Sequence, residues 1–192
     1  MFWDKVTQDN VFFVLIDFQQ SFFNILDKKM VKLSRSNIDL MIKMFNELKV
    51  PMVGTEHYRK GLGATDEQVM QNWKGPQMAD KVTFSCVGCD PFVEDLEKLN
   101  RKVAIVAGLE THICVMQTTL DLIRKGHEVL VVKDACLSSS KLKWENGLEL
   151  MKEAGAKIVN TETVLFYLLQ RVDKPEFKKL VKLLKEQKAA LD

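Results

Sequence analysis

Three side chains in this chain can do covalent chemistry together: a cysteine, a carboxylate and a lysine, each beside an apolar run. Cys114 lies in VAIVAGLETHICV at 103–115, where a continuous β-branched run stops at Gly108. Such a run suits a strand buried on both faces of a parallel sheet. From His112 onward Ile113, Met116, Leu120 and Ile123 recur at helical spacing, with Thr111 as the expected N-cap. Cys114 therefore falls in a first helical turn. Free N–H groups and the helix dipole are expected there to lower a thiol's pKa from about 8.5 towards neutrality and to offer donors for an oxyanion. The thiolate is the nucleophile. A cysteine taken alone is more often a small buried apolar residue, so its partners decide. Asp17 ends a second apolar run, 11–16, and Lys81 in ADKVTFSC precedes an apolar patch at 82–84 read as a short strand over the same crevice. A turn or cap role is the bland alternative for Asp17.

Bringing these positions together requires an alternating chain. Residues 11–16, 50–54, 103–107, 129–132 and 156–159 have strand character, and 31–48, 113–125 and 141–154 carry helical stripes. Asp90 and Pro91 mark another helix start, and Gly126 and Gly155 sit where helix C-caps belong. Residues 55–75 read as less regular. Residues 175–191 form a basic amphipathic helix whose lysine face is solvated. Alternation of this kind implies a three-layer αβα, doubly wound, mostly parallel sheet. In order 3-2-1-4-5-6, Asp17 and Cys114 flank the switch point where ligands bind in open α/β sheets.

The bulk properties limit the alternatives. At 192 residues the chain fits a single domain, 1–192, and 28 basic against 26 acidic residues, net +2, point to neither nucleic acid nor membrane. The N-terminus MFWDKVTQDN has no signal-like apolar region. A cytoplasmic location is expected, with the four cysteines reduced.

Taken together, Asp17 in LIDFQQSFF, Lys81 in DKVTFS and Cys114 in GLETHICV resemble the Asp, Lys, Cys triad of the isochorismatase-like cysteine hydrolases, in that family's chain order. TEHYRKGLG at 55–63, TTLDLIRKGHEVLVVKDAC at 118–136 and PEFKKLVKLLKE at 175–186 extend the likeness over nearly the whole chain, towards the isochorismatase domain-containing proteins. The resemblance implies a six-stranded doubly wound fold and acyl transfer. Lys81 would favour ionised Asp17 and the Cys114 thiolate, Asp17 would be general base, and Cys114 would form a thioester. It also implies an oxyanion site near Glu110 and Cys114, a cis peptide joining Leu109 to Glu110, and a homo-oligomer, dimer or larger.

The family's nicotinamidase branch holds a metal through an Asp-x-His pair and a further histidine; here the stretch reads Thr55, Glu56, His57, Tyr58, and no other histidine precedes His112. No metal and no cofactor are therefore expected. His57 reads as a pocket-wall or loop residue, His112 as a helix-start residue facing away from the thiol, and His127 as part of a surface turn. Cys86 and Cys89 form a lone CxxC, a weak zinc or redox signal. Cys136 reads as core or pocket edge, and Asp134 as a substrate contact or a turn residue. Phe18, Phe23, Tyr58 and Trp73 are candidate pocket walls. The leading reading is a metal-independent hydrolase cleaving a C–N bond of a small-molecule amide. A non-catalytic binding or scaffold protein, a vinyl ether hydrolase of isochorismatase type and a thiol sensor are the alternatives, and a ribonuclease role draws no support from the near-neutral charge.

Overall fold

The structure is a computed structural model describing residues 1–191. The two most continuous apolar runs become adjacent central strands, β1 (Val11–Ile16) and β4 (Val103–Leu109), buried along their whole lengths and paired from Val11↔Val103 to Ile16↔Gly108. With β2 (Met52–His57), β3 (Ala79–Lys81), β5 (Glu128–Leu137) and β6 (Lys157–Val159) they form one parallel sheet in the order β3-β2-β1-β4-β5-β6. This is the expected order.

The helices are α1 (Lys28–Glu47), α2 (Arg59–Leu62), α3 (Glu67–Met70), α4 (Asp90–Leu99), α5 (Met116–Arg124), α6 (Lys141–Glu153), α7 (Thr161–Leu169) and α8 (Pro175–Leu191). Because they cover both faces, the central strands need no polar side and read as unbroken apolar runs. The Asp27 carboxylate caps α1 by accepting from the N–H groups of Lys29 and Met30. Helices α7 and α8 pack against α1, and α6 packs against α5 and the turn that follows β4.

Four elements differ from expectation. The second strand is shifted forward, so Thr55 and His57 lie on it rather than in a loop. The third strand ends at Lys81, and Val82 and Phe84 are exposed in the turn beyond. That turn wraps the lysine, whose Nζ donates to the carbonyls of Thr83 and Phe84, each at 3.0 Å. Residues 55–75 contain α2 and α3. Helix α7, TETVLFYLL, was not anticipated because it is apolar on most sides and shows no helical period.

Two glycines let the chain close around the candidate site. At Gly108 (φ +131°) a Cβ would lie 2.0 Å from the Ile16 carbonyl oxygen, so only glycine permits this approach of β4 to β1. At Gly147 in α6 a Cβ would lie 2.8 Å from His112 Cα, which lets α6 rest directly on the turn bearing Cys114.

Candidate active site

Asp17 is the residue at which β1 stops. Its backbone is left-handed (φ 49°), a conformation that aspartate tolerates better than most residues, and its N–H donates to the Thr55 carbonyl at 3.0 Å. The side chain is fully buried. Oδ1 accepts from Thr55 Oγ1 at 2.7 Å, and Oδ2 makes an ion pair with Lys81 Nζ at 2.7 Å although it lies outside good hydrogen-bond alignment. Lys81 is equally buried, so each charge depends on the other. Burial works against the Lys81 ammonium, but Asp17, Cys86 and Cys114 together outweigh it and hold the pKa above its ordinary value.

Cys114 approaches from β4. After Leu109 the chain makes a π turn, Thr111–Val115, in which the N–H groups of Ile113 and Val115 both donate to the Glu110 carbonyl, at 3.0 and 3.3 Å. Helix α5 begins only at Met116, with Thr111 inside the turn and its hydroxyl buried without a partner. The N-cap expected at Thr111 is thus displaced by the wider turn, whose carbonyl at Glu110 collects the donors that a cap would have taken. The Leu109–Glu110 peptide is trans, as is every other peptide of the described residues. This corrects the cis bond implied by resemblance: extended backbone at Glu110 (ψ 143°) and the π turn together reverse the chain.

The Cys114 sulfur, an Asp17 oxygen and a His57 ring nitrogen all lie within 4.8 Å of one another. The residue is 5% exposed, and its pKa is pushed up, first by burial and then by the charge of Asp17, with Lys81 only partly offsetting them. The expected lowering at a helix start is therefore reversed. Burial and a facing carboxylate exceed what one helix dipole supplies, and the resting group is a thiol.

A profile of the isochorismatase domain matches residues 11–163 of this chain. The chain belongs to the isochorismatase family. Isochorismatase family protein 1A of Dictyostelium discoideum is 36% identical over 157 residues, 79% of this chain and 75% of that protein. The solved structure of MAR1 ribonuclease from Caenorhabditis elegans is 32% identical with a TM-score of 0.81, covering 93% of this chain and 91% of that one. YcaC of Escherichia coli, an octameric hydrolase of unknown specificity, shares the fold at 19% identity with a TM-score of 0.87, covering 95% and 92%. This chain is accordingly an isochorismatase-family hydrolase.

Within this family fold the structure brings Asp17, Lys81 and Cys114 together. It adds two residues to which the sequence reading gave no part in the chemistry, His57 having been read only as a pocket-wall or loop residue. His57, at the end of β2, places Nδ1 3.4 Å from Lys81 Nζ. Thr55, two residues earlier on the same side of the strand, bonds Asp17 and lies 3.2 Å from the Cys86 sulfur. The period-two alternation of a strand through 55–57 was the signal that could have found both. Cys86 is wholly buried, with its thiol pushed up to about 12 by burial first and Asp17 second. Cys89 turns to the Asp80 carbonyl instead, at 3.6 Å, so the CxxC thiols serve different partners.

The other candidates have partners of their own. Phe18 is buried against Phe23 (centroids 5.1 Å apart), which in turn lies under Arg35. Tyr58, half exposed, covers Gly61. Leu109 is core, and the Glu110 carboxylate accepts from Ser139 N at 2.9 Å, tying the π turn to the segment after β5. His112 pairs with Ser138 Oγ at 3.0 Å. His127 is half-buried rather than free in a surface turn, packed edge-on against Phe12 and bordering a cleft with Arg101, Lys102 and Lys125 at the amino end of the sheet. Cations there complement the carboxyl ends of α4 and α5.

The spacing of Asp17, His57 and Cys114 is one that a metal ion can use. The Lys81 ammonium already supplies the cation, at 2.7 Å from Asp17 and 3.4 Å from His57. A divalent ion would have to sit against that buried charge. The group therefore does not fit a metal.

Proposed function

We propose that this hydrolase cleaves the C–N bond of a small amide through a thioester on Cys114, with Asp17 and Lys81 as the other members of a catalytic triad and no metal or cofactor. The observation that carries this reading is the wholly buried Asp17–Lys81 pair set beside the Cys114 thiol at the carboxyl end of the two central strands. As the sulfur attacks the carbonyl carbon, its proton passes to Asp17. The tetrahedral oxyanion lies against N–H groups at the start of the π turn. When the C–N bond breaks Asp17 hands that proton to the leaving nitrogen; Asp17 then deprotonates a water that attacks the thioester carbonyl, and as the S–C bond breaks the proton returns to the sulfur, leaving a carboxylic acid and the free thiol. Lys81 keeps Asp17 ionised at rest.

Phosphodiester cleavage, the activity named for the C. elegans relative, is less well supported here. The site's lysine is ion-paired with Asp17 and donates to two backbone carbonyls, so no free cation faces a phosphate. The working form we propose is a single-domain cytoplasmic homo-oligomer acting on a small molecule, with no nucleic-acid or membrane partner. Among the described residues, no helix is long and apolar enough to cross a membrane.

The test is a library of small carboxamides assayed for amine release, with intact-mass detection of an acyl adduct on Cys114. Turnover abolished by Cys114→Ser and lowered about 10²- to 10⁴-fold by Asp17→Asn supports the reading. Hydrolysis that survives Cys114→Ser overturns it.

A further inference from the structure

We infer that Glu110 is a positioning residue of this site: its carboxylate, latched to the segment after β5, sets the π turn that presents the Cys114 sulfur and the oxyanion donors. The inference rests on the thiol-nucleophile reading above. Strand pairing shows why a latch is needed. β4 and β5 run together as far as Leu109↔Leu137, after a register shift between Val106 and Gly108, and the main chain then turns away. Beyond that last pair, side chains carry the connection. Glu110 Oε1 accepts from Ser139 N at 2.9 Å, and His112 Nδ1 lies 3.0 Å from Ser138 Oγ.

The turn has no cap of its own. The Thr111 hydroxyl is buried without a partner, and the N–H groups of Ile113 and Val115, on either side of Cys114, converge on the Glu110 carbonyl. A displacement of Glu110 therefore carries the cysteine with it. The anchor that the carboxylate grips is itself fixed. Ser139 precedes Ser140, whose hydroxyl caps α6 by accepting from Lys143 N, and Lys143 Nζ donates to Ser139 Oγ at 2.8 Å. Trp144 Nε1 donates to the Cys136 carbonyl at 2.9 Å, which ties the end of β5 to the same helix. A carboxylate at the amino end of a helix meets the positive end of its dipole, and a hydrogen bond to a charged acceptor is the stronger kind.

Acyl transfer is the step that feels this placement. As the sulfur bonds to an acyl carbon, the carbonyl oxygen becomes an oxyanion and leans on N–H groups at the start of the turn. Alkylation by iodoacetamide displaces iodide from a saturated carbon and builds no oxyanion. A misplacement of about 1 Å costs the first reaction on the order of 10²-fold and leaves the second nearly unaltered. General loosening of the fold moves both together.

The test compares two reactions of Cys114 in the full chain. One is acetylation by 4-nitrophenyl acetate, followed as nitrophenolate release, with peptide mass spectrometry placing the acetyl group; the other is alkylation by iodoacetamide. Glu110→Ala removes the acceptor, Glu110→Asp keeps the charge but falls a methylene short, and Glu110→Gln keeps both the reach and an acceptor oxygen. The Ala and Asp variants should acetylate about 10- to 100-fold more slowly while alkylation stays within about threefold, and the Gln variant should recover most of the loss. Thermal melts confirm folding, and Glu110→Asp carries the test if Glu110→Ala does not fold. Acetylation at the parent rate in the Ala and Asp variants, equal changes in the two reactions, or a Gln variant as slow as the Ala variant overturns the positioning role and leaves the nucleophile in place. A parent that is not acetylated at Cys114 overturns the thiol-nucleophile reading and the inference with it.

Discussion

Asp17 and Asp134 are both carboxylates at or near the carboxyl end of a parallel strand, and their surroundings give them opposite work. Asp134, in the last turns of β5, accepts from the N–H and the hydroxyl of Thr161, each at 2.9 Å, and so fastens the start of α7; its carbonyl accepts from Asn37. Asp17 receives no such main-chain donor and is left with a lysine, a threonine hydroxyl and a nearby thiol. A carboxylate saturated by backbone donors is committed to the fold. One held only by side chains keeps lone-pair capacity for a proton.

The largest expected effect comes from removing the cation. Lys81→Met leaves Asp17 charged and alone in the core and should cost about 3–5 kcal/mol in a urea unfolding curve, with the Asp17→Asn, Lys81→Met double variant recovering part of it. Asp134→Asn should cost about 1–3 kcal/mol, since it weakens two hydrogen bonds, and should leave Cys114 labelling within a few-fold of the parent. Equal losses of labelling in Asp134→Asn and Asp17→Asn would erase the contrast between the two carboxylates.

Next comes alkaline stability, which separates burial from reactivity. The native pKa values of Cys86 and Cys136 are each raised to about 12, by burial above all, and that of Cys114 is also raised. A raised acid keeps its proton longer in the folded state, so above the unfolded value near pH 8.5 the unfolded chain holds fewer protons and stability falls as pH rises. Each buried thiol should contribute about 1.4 kcal/mol per pH unit up to its native pKa. Denaturant melts between pH 8 and 10.5 check this, and Cys136→Ala should remove one thiol's share of the slope while leaving Cys114 labelling unaltered.

A smaller effect separates the two threonines that serve these carboxylates. Thr55→Val removes the Asp17 Oδ1 donor and should cost about 1–2 kcal/mol together with a tenfold or greater fall in Cys114 labelling at pH 7. Thr161→Val, which removes a donor to Asp134, should cost a similar amount of stability and leave labelling in place. Parallel pH profiles of the two variants are the comparison to make.

How much of this was legible in the sequence follows from the same physics. The central strands, with Asp17 and Cys114 just beyond them, were readable because apolar runs stop abruptly at polar residues; the sheet order and the grouping with Lys81 rested on the resemblance to a known family, and α8 was readable from its amphipathic period. Thr55 was missed, and His57 was read only as a pocket-wall or loop residue, because a strand that ends in Thr-Glu-His looks like a loop until its neighbours bury it. The direction of the thiol's pKa was misread because the helix start is local, whereas the burial and the Asp17 charge that dominate it are tertiary.

Thr111 carries the smallest effect and the sharpest test of how Cys114 is presented. A threonine N-cap replaced by valine loses about 1 kcal/mol, because a backbone N–H loses its side-chain acceptor. Here the hydroxyl is wholly buried, has no partner and sits inside a π turn whose donors converge on the Glu110 carbonyl. Thr111→Val keeps the shape and removes a desolvated, unpaired oxygen, so it should leave stability unchanged or raise it by up to about 1 kcal/mol. Cys114 labelling should stay at the parent rate. A loss of 1 kcal/mol or more in a urea titration would mean that the hydroxyl caps an ordinary α-helical start in solution and that the thiol is presented by that geometry. A gain would leave the wide turn, and the tight packing of Gly147 beneath it, as what aims the sulfur at Asp17.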